Sequence, residues 1–223
     1  MKIVFLGDSL TWGGYGGNFV EVVRRLLPEH EIINAGYGGN TVINLLRRLE
    51  SDVLNRQPDG VFVMVGGNDA ISYSQPKTRS YYRQAQDIES GFVSPEEFEA
   101  GYRDLLTQLQ LAHVVTWVGL EPSEYNPTVT ATLRDYNDRV SEIARTMNIP
   151  VLDLMAEFNP PVVPERPPLD IGFILTIGKR ESEGWNGFEQ AQRDGGYTFS
   201  FDGLHLTPAS AERMGERIAE FLK

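Results

Sequence analysis

Short apolar runs alternate with longer amphipathic stretches along the chain, and this alternation predicts the order of its elements. The apolar runs occur at residues 2–6, 31–35, 60–67, 114–120 and 149–154. Their lengths suit strands rather than helices. The run at 60–67 is almost continuously apolar, as is typical of a strand that is covered on both faces.

Between these runs, apolar residues recur every three or four positions, which predicts helices. The helical pattern covers 19–27, 42–53, 98–109 and 133–147, and it returns after Pro208. Alternating strands and helices predict parallel strands that are joined by right-handed crossovers. We therefore expect a three-layer α/β fold, in which a five-stranded parallel sheet of order 2-1-3-4-5 has helices on both faces.

Two segments lack a clear period. Residues 70–94 are polar and aromatic, and residues 156–200 contain five prolines between Asn159 and Pro168. Because no repeat, linker or low-complexity tract appears, we expect one domain over 1–223 with insertions at about 70–95 and 156–199. The second insertion is too rich in apolar residues for simple disorder. One hypothesis is that it covers a substrate pocket; a cluster at a sheet edge or a subunit contact is the alternative.

Charge and composition narrow the classes of partner. The formal net charge of −11 disfavours nucleic-acid and anionic-membrane partners. The chain has no cysteine, so it has neither a thiol nucleophile nor a thiolate metal ligand. No apolar run has the ~20 residues of a membrane span, and the opening MKIVFLG is shorter than a signal-peptide core. These features favour a cytoplasmic protein without a membrane span.

Polar side chains and glycines follow the first three predicted strands. The three strand ends read Gly7-Asp8-Ser9, then GYGGN at 36–40, then Gly66-Gly67-Asn68-Asp69. Carboxyl ends of parallel strands meet at one edge of the sheet, where ligands bind in such folds. We therefore expect a hydroxyl, free backbone N–H groups and a carboxamide to converge there. A hydroxyl becomes a nucleophile only beside a base.

Three histidines are candidates for that base. His30 and His113 precede strands, so they are expected at the opposite edge of the sheet. His205 lies in FDGLHLTP, before the last helix, and Asp202 stands three residues earlier. On a turn this spacing allows Asp202 to orient the imidazole while its other nitrogen faces Ser9, as in a Ser-His-Asp triad.

Four motifs in this order resemble those of the SGNH, or GDSL, hydrolases. They are Gly7-Asp8-Ser9-Leu10, the glycine at 39 in NAGYGGNT, GGND at 66–69, and the DxxH pattern from Asp202 to His205. The resemblance covers about 1–69, 96–154 and 200–223. It implies a flavodoxin-like fold and a serine ester hydrolase that forms an acyl-enzyme on a short acyl ester, an acetylated carbohydrate or a thioester.

The resemblance also implies a role for each matching residue. Ser9 is the nucleophile, His205 is the base, and Asp202 orients and stabilises the imidazolium. The Ser9 N–H, the Gly39 N–H and the Asn68 amide form the oxyanion hole. No metal or other cofactor is implied, and the expected partner is a small ester. Trp12 and Trp185 are candidates for the substrate pocket.

Other functions remain open from the sequence. An acyltransferase uses the same acyl-enzyme, with an alcohol in place of water. A non-catalytic module that binds acyl or sugar groups is disfavoured by the intact set of Ser9, Asn68, Asp202 and His205. A nucleotide-binding protein is disfavoured because GYGGNT at 36–41 lacks the third glycine of the dinucleotide fingerprint and follows the second strand.

Overall fold

The computed structural model describes residues 1–223 and contains one parallel sheet. Its strands are β1 (Lys2–Gly7), β2 (Glu31–Gly36), β3 (Gly60–Met64), β4 (Val115–Gly119) and β5 (Val151–Leu152). Their order is β2-β1-β3-β4-β5, and all four pairings are parallel. This topology confirms the predicted flavodoxin-like sheet.

Eleven α-helices surround the sheet. They are α1 (Ser9–Trp12), α2 (Phe19–Leu26), α3 (Val42–Asp52), α4 (Gly67–Ser74), α5 (Arg79–Ala85), α6 (Pro95–Leu111), α7 (Pro127–Thr146), α8 (Leu154–Glu157), α9 (Ile171–Ser182), α10 (Phe188–Gly195) and α11 (Pro208–Phe221). Short 3₁₀ turns occur at Leu54–Arg56 and Pro76–Thr78. None of these helices combines the length and apolar character that a bilayer crossing requires.

The alternation of side chains along the strands divides the core into two layers. Ile3 and Phe5 of β1 point into a cluster with α2 and α11, which pack against each other. Val4 and Leu6 point to the other face, where α3, α6 and α7 cover the sheet. Burying both faces explains why the strands are apolar throughout. The predicted three layers are therefore confirmed.

Two strands, β3 and β5, are at least three residues shorter than the sequence predicts. β5 has two residues rather than the six of 149–154, because the Asp153 carboxylate accepts the Ala156 N–H (2.8 Å) and starts α8. β3 ends at Met64, and the chain turns into α4 at Gly66, whose φ of +153° disfavours a side chain. Both early ends leave polar residues at the carboxyl edge of the sheet.

The two segments without a clear period contain helices that the sequence does not predict. Residues 70–95 hold most of α4 and all of α5, and 156–199 hold α9 and α10. The signal was weak because these helices bury few side chains. α5 fully buries only Tyr82, α9 buries only Ile177, and α10 buries none. A helix without a wide buried stripe shows no apolar period.

Candidate active site

Ser9 lies just after the carboxyl end of β1, the strand between β2 and β3 in the sheet, and is the first residue of α1. The Asp8 carboxylate caps this short helix by accepting the Leu10 N–H at 3.0 Å. α1 then passes so close to β2 that a Cβ added to Gly36 would lie 2.1 Å from the Trp12 nitrogen. Sheet, cap and close packing together fix the position of the Ser9 hydroxyl.

His205 connects Ser9 to Asp202. The His205 Nε2 atom lies 3.0 Å from Ser9 Oγ, and Nδ1 lies 2.7 Å from Asp202 Oδ2. A carboxylate only accepts, so Nδ1 carries the proton and Nε2 is left to accept from the hydroxyl. His30 and His113 precede β2 and β4 and therefore lie at the opposite edge of the sheet.

The charge state of His205 is set by competing effects. Burial lowers the pKa of His205, but the negative charge of Asp202 and the hydrogen bond to it outweigh burial, so that the net pKa is raised from the usual 6.5. A raised pKa makes His205 a stronger base and stabilises the imidazolium that forms when it takes a proton. The site therefore has the electrostatics that general-base catalysis needs.

Glu124 holds the loop that carries Asp202 and His205. It is 3 % exposed. Its two oxygens accept five hydrogen bonds of 2.6–3.0 Å from the backbone and hydroxyl donors of Thr198, Phe199 and Ser200. The Ser200 hydroxyl in turn accepts the Gly203 N–H at 3.0 Å. This chain of bonds ties the start of the loop to the segment after β4.

Aromatic rings enclose the imidazole of His205. Tyr15 contacts it edge-on, with ring centroids 5.1 Å apart, and Phe201 stacks at 6.1 Å. Trp185 packs against Phe201 at 5.9 Å and does not line the cavity beside Ser9. Trp12 lines that cavity and is 41 % exposed, so it stands at the rim rather than over the core. Of the two candidate tryptophans, only Trp12 faces the site.

Asn68 and Gly39 line the same cavity as Ser9. The Asn68 amide is oriented from both ends, since Nδ2 donates to Asp8 Oδ2 (3.0 Å) and Oδ1 accepts the Tyr82 hydroxyl (2.8 Å). Gly39 has φ +77°, and a Cβ there would lie 2.3 Å from the Tyr81 hydroxyl. The Gly39 N–H donates no hydrogen bond within the chain. Both residues thus offer donors for a developing negative charge.

Three carboxyl groups are buried below this edge. Asp8 and Asp69 are 0 % exposed and Glu121 is 5 % exposed. Asp69 accepts the Val42 N–H through both oxygens (3.1 and 3.3 Å), and Glu121 accepts the Gly67 N–H at 2.9 Å. Burial raises the pKa of Asp8 to about 6 and raises the pKa of Asp69 and Glu121 well above their usual range. The three groups do not form a metal-binding cluster.

A cavity of about 290 Å³ opens beside Ser9. Its wall is mostly apolar, and several residues come from the two segments that had no clear period. These residues are Ile71, Tyr81, Tyr82, Leu169, Ile171, Ile174 and Leu175. The cavity places apolar surface next to the hydroxyl and the amide donors. Such a space suits the acyl part of an ester.

Sequence reasoning missed three residues of the site. Glu121 is the second residue after β4, and the rule that finds polar residues at carboxyl strand ends would have located it. Tyr15 stands in a glycine-rich loop close to Ser9 in the sequence. The glycines were a signal that this loop packs closely against the residues around Ser9. Tyr82 carried no signal, because it reaches Asn68 from a segment without a readable period.

Comparisons with known proteins agree with this geometry. The model of the GDSL-like Lipase/Acylhydrolase family matches residues 5–213. An acetylxylan esterase of Geobacillus stearothermophilus is 30% identical over 181 residues, which are 71% of this chain and 78% of the relative. The thioesterase 1/protease 1/lysophospholipase L1 of Escherichia coli K12 is 28% identical over 166 residues, 70% of this chain and 67% of the relative.

A solved structure shows the same fold. The crystal structure of the acetyl xylan esterase AlAXEase superposes with a TM-score of 0.69 at 18% identity, and the match covers 100% of both chains. The family match spans the segments 70–95 and 156–199 as well as the four motifs. The resemblance read from the sequence is confirmed: the chain belongs to the GDSL-like lipase/acylhydrolase family and is a hydrolase that acts on ester bonds.

Proposed function

We propose that the protein is a single-domain enzyme that hydrolyses a carboxylic ester through an acyl-enzyme on Ser9. The observation that carries this proposal is the continuous hydrogen-bonded line from Asp202 through His205 to Ser9, with distances of 2.7 and 3.0 Å. A serine hydroxyl is a weak nucleophile unless a base removes its proton, and this line supplies a base that is oriented and buried.

The reaction follows from the geometry. The Ser9 hydroxyl oxygen attacks the ester carbonyl carbon while His205 Nε2 takes the hydroxyl proton. The carbonyl oxygen becomes an oxyanion and accepts hydrogen bonds from the Ser9 N–H, the Gly39 N–H and the Asn68 amide. The carbon–oxygen bond to the alcohol breaks, and His205 returns the proton to the leaving oxygen. Water then attacks the carbonyl carbon of the acyl-enzyme while His205 takes a water proton. The bond between the acyl group and the Ser9 oxygen breaks, the acid leaves, and His205 returns the proton to Ser9.

The cavity favours a substrate with a compact acyl group. Ile71, Leu169 and Ile174 provide an apolar wall, whereas Trp12 and Tyr15 stand beside the opening. We place the acyl group against the apolar wall and the alcohol part near the two aromatic rings. The acetylxylan esterase relative makes an acetylated carbohydrate one member of this class. Short acyl esters and thioesters are the others.

A substrate panel tests the proposal. Wild type and Ser9→Ala are compared on p-nitrophenyl esters of two, four and six carbons, on acetylated xylo-oligosaccharides and on an acyl thioester. We expect wild type to hydrolyse at least one class. Ser9→Ala should retain at most the ~10³–10⁴-fold acceleration over water that remains from binding and the oxyanion hole. Equal activity of the variant and wild type on every substrate would contradict the mechanism.

A further inference from the structure

The buried carboxylate of Glu124 accepts five hydrogen bonds from three consecutive residues. Oε1 accepts the N–H groups of Phe199 (3.0 Å) and Ser200 (2.8 Å) and the Ser200 hydroxyl (2.6 Å). Oε2 accepts the N–H and the hydroxyl of Thr198, at 2.8 and 2.7 Å. Both oxygens are used only as acceptors, as in an ionised carboxylate, and the three backbone N–H groups surround the charge as in an anion-binding nest.

Glu124 also holds the loop on the far side of Asp202. The Glu124 backbone N–H donates to Gly203 O at 3.1 Å, and the Ser200 hydroxyl accepts the Gly203 N–H at 3.0 Å. A Cβ on Gly203 would lie 2.8 Å from the Tyr125 Cα atom, so the loop packs directly on the backbone beside Glu124. The loop is therefore fixed to Glu124 both before and after Asp202.

Inside the loop, hydrogen bonds join Asp202 to His205. Asp202 Oδ1 accepts the His205 N–H at 2.7 Å, and the Phe201 N–H donates to His205 O at 3.0 Å. Ser200 pairs with Leu206 in an antiparallel bridge. These bonds fix Asp202 and His205 relative to each other, but they fix neither residue relative to the nucleophile. The distance from the base to the nucleophile depends on what attaches the loop to the rest of the molecule.

The segment that carries Glu124 follows β4 and is itself fixed to α7. The Asn137 amide donates to Glu121 O at 3.0 Å, and the Thr130 hydroxyl donates to Ser123 O at 3.2 Å. Glu124 thus has a fixed base on one side and the loop of the candidate triad on the other.

We propose that Glu124 is a positioning residue for the triad: as an anion it gathers the N–H groups of residues 198–200, and it thereby holds His205 at hydrogen-bond distance from Ser9. This inference rests on the proposed function of Ser9 and His205. Glu124 does not line the cavity beside Ser9. Its loss should therefore displace the base and leave the binding of substrate unchanged.

Steady-state kinetics of Glu124→Gln test the inference. Glutamine has nearly the same shape, but it replaces one oxygen with an amide nitrogen that cannot accept, so at least one backbone N–H of residues 198–200 loses its partner. We expect kcat to fall roughly 10- to 100-fold at an unchanged KM, because a small displacement of a catalytic group costs rate rather than ground-state binding. An unchanged kcat, or a loss confined to KM, would contradict the inference.

The matched control is Glu157→Gln, the same exchange at a carboxylate away from the cavity. Glu157 accepts two hydrogen bonds from Arg217, at 2.8 and 2.9 Å, and so joins α8 to α11. This variant should leave kcat within about twofold of wild type, since such a pair contributes to stability alone. Equal losses of kcat in Glu124→Gln and Glu157→Gln would mean that Glu124 also contributes to stability alone, and would overturn the inference.

A variant without the base tests the path of the effect. When His205→Ala is already present, adding Glu124→Gln should change the residual rate on a p-nitrophenyl ester less than about twofold, because the two residues act as one unit. A second loss as large as the first would contradict the inference. If Glu124→Gln does not fold, Ser200→Ala takes its place in every comparison. It removes the hydroxyl that joins Glu124 to the Gly203 N–H and should lower kcat about three- to tenfold.

The position of His205 can be measured without a substrate, which separates this inference from the proposed function. His205 Nε2 lies 3.0 Å from Ser9 Oγ. In a crystal structure of Glu124→Gln this distance should exceed hydrogen-bond length, while His205 Nδ1 stays bonded to Asp202. If wild type hydrolyses no ester but the variant displaces His205 in this way, the proposed function fails and the positioning by Glu124 stands. If His205 keeps its place in the variant, the inference is wrong whatever the activity.

Discussion

The segments 70–95 and 156–199 look alike in the sequence but are built differently. Residues 70–95 are bonded to the rest of the molecule at many points: the Tyr136 hydroxyl donates to Val93 O at 2.7 Å and the Asn44 amide to Gln86 O at 2.8 Å. Residues 156–199 are held more loosely. Phe173 and Leu175 of α9 are 50% and 55% exposed, and α10 buries no residue.

The two segments also touch different parts of the site. The first delivers the Tyr82 hydroxyl to Asn68, a residue proposed to act in the transition state. The second places Ile174 and Leu175 in the wall of the cavity, and the Glu181 carboxylate of α9 accepts the Gly16 N–H at 2.8 Å. We infer that the rigid segment affects the rate of the chemical step, whereas the looser one affects the choice of substrate.

The largest effect should come from the residue that the first segment supports. Asn68→Ala removes the proposed donor to the oxyanion and should lower kcat by roughly 10²–10³, about 2.7–4 kcal/mol, with little change in KM. Steady-state kinetics on a p-nitrophenyl ester measure both constants. A change confined to KM would instead identify Asn68 as a residue that binds the ground state.

A smaller effect is expected from Tyr82→Phe, which removes only the hydroxyl that bonds Asn68 Oδ1. One hydrogen bond of this kind is worth about 1 kcal/mol, so kcat should fall roughly five- to tenfold at constant KM. The matched control is Tyr102→Phe, because the buried Tyr102 hydroxyl has no hydrogen-bond partner. Equal effects of the two variants would show that the hydrogen bond from Tyr82 to Asn68 does not contribute to the rate.

The smallest effect on the chemical step should come from the second segment. Ile174→Ala enlarges the cavity and should change the ratio of kcat/KM between six-carbon and two-carbon esters about three- to fivefold, since Ile174 is only partly buried. Phe173→Ala, on the same helix but outside the cavity wall, is the control. If Ile174→Ala instead lowers kcat equally on all esters, the contrast between the segments is wrong.

The sheet and the motifs at its edge were predictable because they follow local rules. Buried parallel strands are apolar throughout, and their carboxyl ends meet at one edge, so the runs at 2–6 and 60–67 also locate Ser9 and Asn68. The DxxH spacing located Asp202 and His205 in the same way, because one turn brings both side chains together.

Contacts between distant segments were not predictable. Tyr82 reaches Asn68 from α5, and Glu124 bonds residues more than seventy positions away. Neither contact leaves a period or a spacing in the sequence, because each depends on how separate elements pack. The same reason explains Trp185, whose size suggests a pocket residue but which packs behind Phe201.

The most direct test of the central claim is the rate at which a fluorophosphonate labels Ser9 at different pH values. The account predicts one adduct, on Ser9 in the peptide map, and none in Ser9→Ala. Labelling requires neutral His205, whose pKa is raised from 6.5, so the rate should fall toward low pH with a midpoint above 6.5. An adduct elsewhere, no adduct, or a rate that does not change down to pH 4 would contradict the account.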